Sequence, residues 1–221
     1  MKKAINKKKP QALAIFGGTF DPVHLGHLAC AKAIADLNKD ISVLLVPDRQ
    51  PPHRAEPTAT PEDRLAMLKL AVADLPRIHI DCRELQRPGP SYSCDTLKSF
   101  RKEYGAAMPL LFVMGLDAYK TLPEWHDWQT LTDLAHLLVL ARPGEDVNLS
   151  TALSDWQEPK LASEITGLLK TPAGQICHQR LAEVPVSATQ ARQAYRTGTD
   201  ATGLTSPEVD TYIRQQGLYL G

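Results

Sequence analysis

Short, continuously apolar runs alternate along this chain with segments whose apolar residues recur at helical spacing. The clearest runs are Ala12–Phe16, Ile41–Val46, Leu110–Met114 and His136–Ala141. Their length and lack of polar alternation are typical of strands that are buried on both faces. Because strands and helices take turns along the chain, the pattern predicts an α/β fold in which helices cover a parallel sheet.

The other elements follow from capping and turn signals. Thr60, Pro61 and the acidic pair after them predict the start of a helix that runs to about Leu75. Further helices are predicted at about His24–Leu37, Ser93–Tyr104, Ala188–Arg196 and Pro207–Gln216, and further strands at Ile78–Cys82 and Ile176–Pro185. Residues 48–60 read as a proline-rich loop, and residues 142–175 have too little periodicity for an assignment. The whole predicts a Rossmann-like, doubly wound parallel sheet with helices on both faces and a small C-terminal helical portion.

Composition excludes several classes of protein. Lys+Arg and Asp+Glu both number 25 in 221 residues, so no net charge would hold a nucleic acid non-specifically. No apolar run approaches the length of a membrane span, and four dispersed cysteines without a CxxC pair favour a reducing cytoplasm. Residues 1–10 carry five lysines and read as a basic tail, which leaves residues 11–221 as one domain.

The segment GGTFDPVHLGH (residues 17–27) lies between the first predicted strand and the first predicted helix. In an open parallel sheet, this junction is where ligands bind. Gly17 and Gly18 allow the backbone to approach phosphate oxygens, and the start of the helix offers unpaired N–H groups to an anion. His24 and His27 are three residues apart, so their imidazoles should face the same anion.

Other interpretations of this segment are open. A Gly-Gly pair is often only a turn, two histidines at this spacing are often merely exposed, and His24, His27 and Cys30 could be taken for metal ligands. The strand end, the glycines, Thr19 and both histidines together favour an anion site without a bound metal. Neither a P-loop G-K-[ST] nor a G-x-G-x-x-G motif follows the strand.

The segment resembles the HxGH signature of the nucleotidyltransferase superfamily, and Val186–Arg192 (VSATQAR) is similar to its ISxTxxR motif. The superfamily transfers a nucleotidyl group from a nucleoside triphosphate to a phosphate acceptor and releases pyrophosphate. The resemblance implies that His24, His27 and Arg192 are catalytic and that residues 11–221 are a single nucleotidyltransferase domain. By itself the second motif could equally be a capped helix with an exposed arginine.

Further segments resemble bacterial nicotinate-nucleotide adenylyltransferases over nearly the whole chain: Gln50–Arg54 (QPPHR), Pro90–Leu97 (PSYSCDTL), and Gly115–Asp117 (GLD) followed by Trp125. The ATP-binding residues that the resemblance implies are Gly17, Gly18, Thr19, Phe20, His24, His27, Gly115, Asp117, Ser187, Thr189 and Arg192. The implied mononucleotide-binding residues are Asp21, His53, Arg54, Tyr92, Ser93, Trp125 and His126. The chain departs from the family at Ser93, where Thr is usual, and at Ala188, which removes one hydroxyl.

This resemblance implies a direct reaction. The phosphate of nicotinate mononucleotide is already an oxyanion, so it can attack the α-phosphorus of ATP without a general base or a covalent enzyme intermediate. Mg²⁺ should arrive on the triphosphate, because the sequence shows no compact carboxylate cluster to hold it. Alternatives are nicotinamide mononucleotide or phosphopantetheine as the acceptor, or a nucleotide-binding sensor without turnover. Phosphopantetheine enzymes usually have Thr at the position of His24, which argues against that acceptor.

Overall fold

Six strands lie side by side, all parallel, in the part of the chain that a computed structural model describes, which comprises residues 11–50, 56–141, 144–182 and 184–220. Their order is β3-β2-β1-β4-β5-β6. They are β1 (Ala12–Gly18), β2 (Ile41–Pro47), β3 (Ile78–Ile80), β4 (Leu110–Gly115), β5 (His136–Ala141) and β6 (Ile176–Arg180). The predicted doubly wound parallel sheet is therefore confirmed. The predicted basic tail, residues 1–10, lies outside the described residues.

The helices connect the strands and close the chain. They are α1 (Leu25–Leu37), α2 (Pro61–Ala71), α3 (Arg83–Gln86), α4 (Ser93–Tyr104), α5 (Leu116–Lys120), α6 (Leu131–Leu134), α7 (Thr151–Gln157), α8 (Ile165–Leu168), α9 (Ala188–Thr197) and α10 (Pro207–Gln216). Short 3-10 turns occupy Leu122–Glu124, Trp128–Thr130 and Glu158–Lys160. None of the described helices is long and apolar enough to cross a membrane.

Alternate residues of β1 enter two separate cores. Ala12 and Ala14 face a cluster built with α1, α2, α9 and α10, whereas Leu13 and Ile15 face one built with α4, α5 and α6. Successive side chains of a strand point to opposite faces, so a strand covered on both sides must be apolar throughout. This explains the continuous apolar runs of the sequence.

Several element ends differ from their predicted positions. Helix α2 stops at Ala71 rather than Leu75, and Val72 has left the helical region (φ −108°, ψ 6°). A helix continued to Pro76 would bring the proline ring against the carbonyl of Val72, four residues earlier. Strand β3 ends at Ile80 rather than Cys82, since the Asp81 carboxylate accepts from the Arg83 amide at 3.0 Å as α3 begins. Strand β6 ends at Arg180 rather than Pro185.

Other predicted ends are confirmed. Helix α4 ends at Gly105, whose φ of 84° suits glycine, and α10 begins after the Ser206 cap and ends before Gly217. Strand β5 has the predicted limits. Within residues 142–175, which had no sequence-based assignment, the described part contains α7 and α8.

Candidate active site

The sheet reverses its winding between β1 and β4. Strand β1 pairs with β2 on one side and with β4 on the other, so the connections that leave β1 and β4 diverge and leave a crevice at the carboxyl ends of these strands. Gly17 and Gly18 end β1 and Gly115 ends β4. Gly17, Gly115 and Asp117 are exposed, so these predicted ATP-binding positions lie open at the crevice.

Strand β1 continues through both glycines, beyond the Phe16 end that the sequence predicted, with Gly17 beside Val46 and Gly18 beside Pro47. A Cβ on Gly18 would lie 3.1 Å from the ring of Phe20, so that glycine makes room for a buried aromatic side chain. Phe20 has a left-handed backbone (φ 50°) and packs edge-on against the ring of His27, with centroids 4.9 Å apart. Phe20 thus supports the histidine from within the core.

His24 and His27 cap helix α1 together. Nδ1 of His24 accepts from the backbone N–H of His27 at 3.4 Å, and Nδ1 of His27 accepts from the N–H of His24 at 3.3 Å. Their rings stack with centroids 3.7 Å apart and planes 27° apart. His24 therefore stands at the cap position, one residue before the helix, and the two imidazoles lie side by side; that they face one anion stays a prediction.

This arrangement fixes where each ring carries its hydrogen. A backbone N–H can only donate, so Nδ1 of each ring accepts and the ring hydrogen lies on Nε2. His24 is 8% exposed, and burial lowers its pKa to about 4, so it is neutral at neutral pH. Each ring therefore carries its hydrogen on Nε2, as a donor of the kind that suits an anion and not as a base that removes a proton.

The C-terminal motif packs directly on the glycine-histidine segment. Arg192 donates from a terminal nitrogen to the backbone oxygen of Asp21 at 2.6 Å, and lies 4.0 Å from the carboxylate of that residue. A Cβ on Gly26 would come within 3.1 Å of the backbone oxygen of Val186, so glycine is needed where α1 meets this motif. The two motifs that the sequence separates are thus in contact.

The hydroxyl of Ser187 is used inside the motif. It accepts from the Gln190 amide at 3.2 Å and donates to the Gln190 side-chain oxygen at 3.1 Å. That oxygen also accepts from the backbone N–H of Ser187 at 2.8 Å, which completes a capping box at the start of α9. The capped helix that the sequence left open as an alternative is present. Thr189, the second residue of α9, is exposed. The predicted contacts of Ser187 and Thr189 with a phosphate stay predictions.

Asp21 fixes the loop between β1 and α1 through several hydrogen bonds to its carboxylate. Its carboxylate is 5% exposed and accepts from the amides of Thr58 and Ala59, at 2.8 and 3.1 Å, and from the hydroxyl of Tyr219 at 2.6 Å. The predicted contact of Asp21 with a mononucleotide stays a prediction. In the structure its carboxylate joins three distant segments of the chain.

Sequence reasoning missed Arg64, which is fully buried on α2. It donates to the backbone oxygens of Thr19 and Asp48, at 2.6 and 2.8 Å, and approaches the Asp48 carboxylate at 3.4 Å. Thr19 donates its hydroxyl to the same carboxylate at 2.8 Å. The available signal was an arginine three and four residues before Met67 and Leu68, where helical spacing expects an apolar side chain.

The segments assigned to the mononucleotide come together on the far side of the crevice. The Ser91 amide donates to the backbone oxygen of Gln50 at 3.1 Å, which ties the PSYS segment to the start of the proline-rich loop. The rings of Tyr92 and His126 lie 4.6 Å apart, and half-buried Trp125 meets Phe112 edge-on at 6.5 Å. Ser93 begins α4 beside Tyr92. His53 and Arg54 lie outside the described residues.

Two carboxylates near the crevice, those of Asp21 and Asp48, are already engaged. Both accept from the partners given above, and in the described part of the chain neither belongs to a group of three metal-binding side chains. Nucleotidyltransferases of this family use a divalent metal with ATP. That this metal arrives on the triphosphate, as the sequence suggests, stays a prediction.

Comparison with known proteins agrees with this geometry. The profile of the Cytidylyltransferase-like family matches residues 15–194, which include both motifs. The chain belongs to that family, a class of nucleotidyltransferases.

Within the family the chain groups with the nicotinate-nucleotide adenylyltransferases. It is 44% identical over 210 residues to a probable nicotinate-nucleotide adenylyltransferase of Serratia proteamaculans, covering 93% of this chain and 94% of that protein. A protein of the same description from Klebsiella pneumoniae is 43% identical, with 95% and 97% covered.

Solved structures share the fold. The nicotinic acid mononucleotide adenylyltransferase of Plasmodium falciparum, complexed with NaAD, aligns with a TM-score of 0.71 at 17% identity, covering 94% of this chain and 97% of that one. A putative nicotinate-nucleotide adenylyltransferase from Vibrio parahaemolyticus aligns with a TM-score of 0.63 at 18% identity, with 94% of each chain covered.

Proposed function

We propose that this enzyme transfers the adenylyl group of ATP to nicotinate mononucleotide, forming nicotinate adenine dinucleotide and pyrophosphate for NAD biosynthesis. One structural observation carries the chemistry: two stacked histidines at the switch point of the sheet, each with its ring hydrogen on Nε2. The description of the relatives, at 44% identity over nearly the whole chain, supports the choice of substrates.

The chain's own residues act by alignment and by stabilising charge. The acceptor phosphate oxygen forms a bond to the α-phosphorus of ATP while the bond to pyrophosphate breaks on the opposite side. The Nε2–H groups of His24 and His27 donate to the α-phosphate oxygens, where negative charge is redistributed in the transition state. Because the nucleophile is already ionised, no residue is needed as a base.

Arg192 is assigned to the β- and γ-phosphates. Its side chain is 34% exposed, and one guanidinium nitrogen donates to the backbone oxygen of Asp21 in the loop. The guanidinium has further N–H groups that can donate to a phosphate. Gly17, Gly18, Thr19 and Phe20 form the loop beside these phosphates. Thr189 and the start of α9 flank it, and Gly115 and Asp117 are assigned to the adenosine.

The acceptor is assigned to the other wall of the crevice. Trp125 offers an aromatic face for the pyridine ring, and Tyr92, Ser93 and His126 offer hydrogen-bond donors for its substituent. Donors suit a carboxylate better than an amide, whose NH₂ would then lack an acceptor. Asp21, His53 and Arg54 complete the predicted set.

Mg²⁺ is the proposed divalent metal, because ATP carries it bound to the triphosphate and it neutralises charge on the leaving pyrophosphate. The proposed location is the cytoplasm. Cys30, Cys82, Cys94 and Cys177 are all free thiols, as a reducing compartment would keep them.

A pyrophosphate-release assay separates this function from its alternatives. Mg-ATP is supplied with nicotinate mononucleotide, nicotinamide mononucleotide or phosphopantetheine in turn, and we expect rapid release with the first. Replacing His24 or His27 by Ala should lower kcat on the order of 10²- to 10³-fold with little change in ATP affinity. Binding of ATP without turnover on any acceptor would favour the sensor, and full activity in both variants would overturn the role of the histidines.

A further inference from the structure

Three side chains with metal-binding atoms meet beside the acceptor wall, the side of the crevice formed by Tyr92, Ser93, Trp125 and His126. Cys94 lies in the first turn of α4, and His126 and Asp127 follow the 3-10 turn Leu122–Glu124. One donor atom from each of the three lies within 4.8 Å of the other two. In the part of the chain that the structure describes, no other group of three His, Cys, Asp or Glu side chains comes this close.

The spacing suits a small metal ion. A point equidistant from three atoms that are 4.8 Å apart is about 2.8 Å from each, and zinc requires roughly 2.3 Å to sulfur and 2.0–2.2 Å to nitrogen and oxygen. Contraction by about 0.5 Å for the sulfur, and by roughly 0.6–0.8 Å for the nitrogen and oxygen, is therefore enough. The side chains of His126 and Asp127 are 53% and 49% exposed, so both can turn toward the buried thiol.

His126 and Asp127, the two exposed ligands, lie on a turn that already places their side chains next to each other. Asp127 has a left-handed backbone (φ 49°, ψ 33°), a conformation that aspartate adopts more readily than most residues other than glycine. Nε2 of His126 and Oδ2 of Asp127 lie 3.5 Å apart, so adjacent residues present their ligand atoms side by side. The geometry between these two ligands needs little change.

The local charge is mixed. The Asp95 carboxylate lies 3.8 Å from the sulfur of Cys94, which adds negative charge beside the site. Lys98 opposes a cation, since its ammonium is 3.9 Å from Asp95 and 4.0 Å from Asp127. Its side chain is 53% exposed and can turn into solvent. A cation that binds here must displace this ammonium.

We propose that Cys94, His126 and Asp127 bind a thiophilic divalent cation of the Zn²⁺ type, and that the bound ion competes with the acceptor mononucleotide. Thiol, imidazole and carboxylate are the donors that zinc prefers, and the thiol proton passes to solvent as the sulfur–metal bond forms. Competition rests on the proposed function, because the ring of His126 stands 4.6 Å from that of Tyr92, and both are assigned to the acceptor.

Titration of the metal-free full-length enzyme with Co²⁺, in the absence of nucleotides, tests the site. Thiolate ligation gives an intense near-ultraviolet charge-transfer band, which we expect in the wild type and in Cys177→Ala, a matched change at another buried cysteine. Cys94→Ala and Cys94→Ser should weaken Co²⁺ binding by at least about tenfold, and Lys98→Met should strengthen it. Absence of the band in the wild type, or its persistence in both Cys94 variants with folded spectra, would overturn the site.

Kinetics then test the competition. With Mg-ATP in large excess, Zn²⁺ should raise the apparent KM for nicotinate mononucleotide without lowering kcat, and Cys94→Ala should be at least about tenfold less sensitive. Inhibition that high acceptor concentration does not relieve would overturn the competition. A metal-free enzyme that never uses nicotinate mononucleotide would instead count against the proposed function, while the Co²⁺ result would stand.

Discussion

The hydroxyl of Tyr219 donates to the carboxylate of Asp21 at 2.6 Å, across 198 positions of the sequence. Asp21 is 5% and Tyr219 8% exposed, so the hydrogen bond is buried. Tyr219 has a left-handed backbone (φ 62°), and so does Phe20, immediately before Asp21. The backbone oxygen of Asp21 also accepts a hydrogen bond from Arg192. The end of the described chain therefore helps to hold the loop that precedes His24 and His27, the histidines proposed to be catalytic.

Replacing Tyr219 by Phe should destabilise the protein and slow the reaction. Loss of a buried hydrogen bond to a carboxylate should lower the free energy of unfolding by about 2 kcal/mol. A shift of the loop should lower kcat by roughly tenfold. Urea unfolding and steady-state kinetics measure the two effects. The matched control is Tyr212→Phe, which removes a hydrogen bond of 2.9 Å to Asp63 on the neighbouring helix and should leave kcat unchanged.

The buried His24 should make stability depend on pH. Its native pKa is about 4 against 6.5 when exposed, so between these values the unfolded chain binds more protons and the native state loses stability as pH falls. From pH 7 to pH 4.5 the wild type should lose about 2 kcal/mol more than His24→Asn, which keeps a capping side chain but does not titrate. His136 and His178, whose pKa values burial also lowers, are present in both proteins and cancel. Equal losses in urea unfolding would show that His24 is solvated.

Gly26→Ala should damage activity more than stability. The new methyl group would meet the His24 ring at 3.0 Å and the backbone oxygen of Val186 at 3.1 Å, which separates the two motifs, whereas alanine favours the helix by about 1 kcal/mol. We expect kcat to fall at least about tenfold. The control is Gly167→Ala in α8, where nothing lies within 4 Å of the new methyl group, and its activity should be unchanged. Wild-type kinetics in Gly26→Ala would show that this close approach is not needed.

Arg192→Ala should raise the apparent KM for ATP and leave that for the mononucleotide nearly unchanged. Loss of a charge-assisted hydrogen bond to phosphate should weaken ATP use by roughly 10- to 100-fold. Arg196→Ala, one turn further along α9 and exposed, removes an arginine without touching the loop and should behave as wild type. A larger change in the mononucleotide KM would instead place Arg192 on the acceptor side.

The acceptor wall should prefer the acid over the amide. We expect kcat/KM for nicotinate mononucleotide to exceed that for nicotinamide mononucleotide by at least about tenfold, or about 1.4 kcal/mol. Trp125→Ala should harm both acceptors alike, because ring stacking does not distinguish their substituents. Changes at Tyr92 or Ser93 should alter the ratio. Equal efficiency of the two acceptors in side-by-side assays would defeat this assignment and leave adenylyl transfer intact.

The sequence predicted the sheet well because its strands are buried on both faces. In runs such as Ile41–Val46, Ser42 is the one polar residue. A run of this length without polar alternation predicts a strand buried on both faces, which is what the structure shows. Helix ends were predictable where a capping residue and a glycine mark them, as at Ser206 and Gly217. The end of α2 at Ala71 was harder to predict, because no glycine marks it.

The contact between the two motifs agrees with their assignment to one site from the sequence, while the binding roles of their residues stay predictions. The side chains that support these motifs were not predictable. Tyr219, Arg64 and Asp48 contact the loop from positions 29 to 198 residues away in the sequence. No local sequence pattern indicates which polar side chain will bond to which distant partner. The reciprocal capping by His24 and His27 likewise needed coordinates, since the spacing alone permits rings that both point into solvent.

The bond between Tyr219 and Asp21 bears on when the enzyme can first work during its own synthesis. A ribosome makes the glycine-histidine loop well before Tyr219, which follows Asp21 by 198 positions, and contacts so far apart in sequence form late in folding. The growing chain can build β1, α1 and β2 long before the partner of Asp21 emerges. Full turnover should therefore appear only after Tyr219 has left the ribosome.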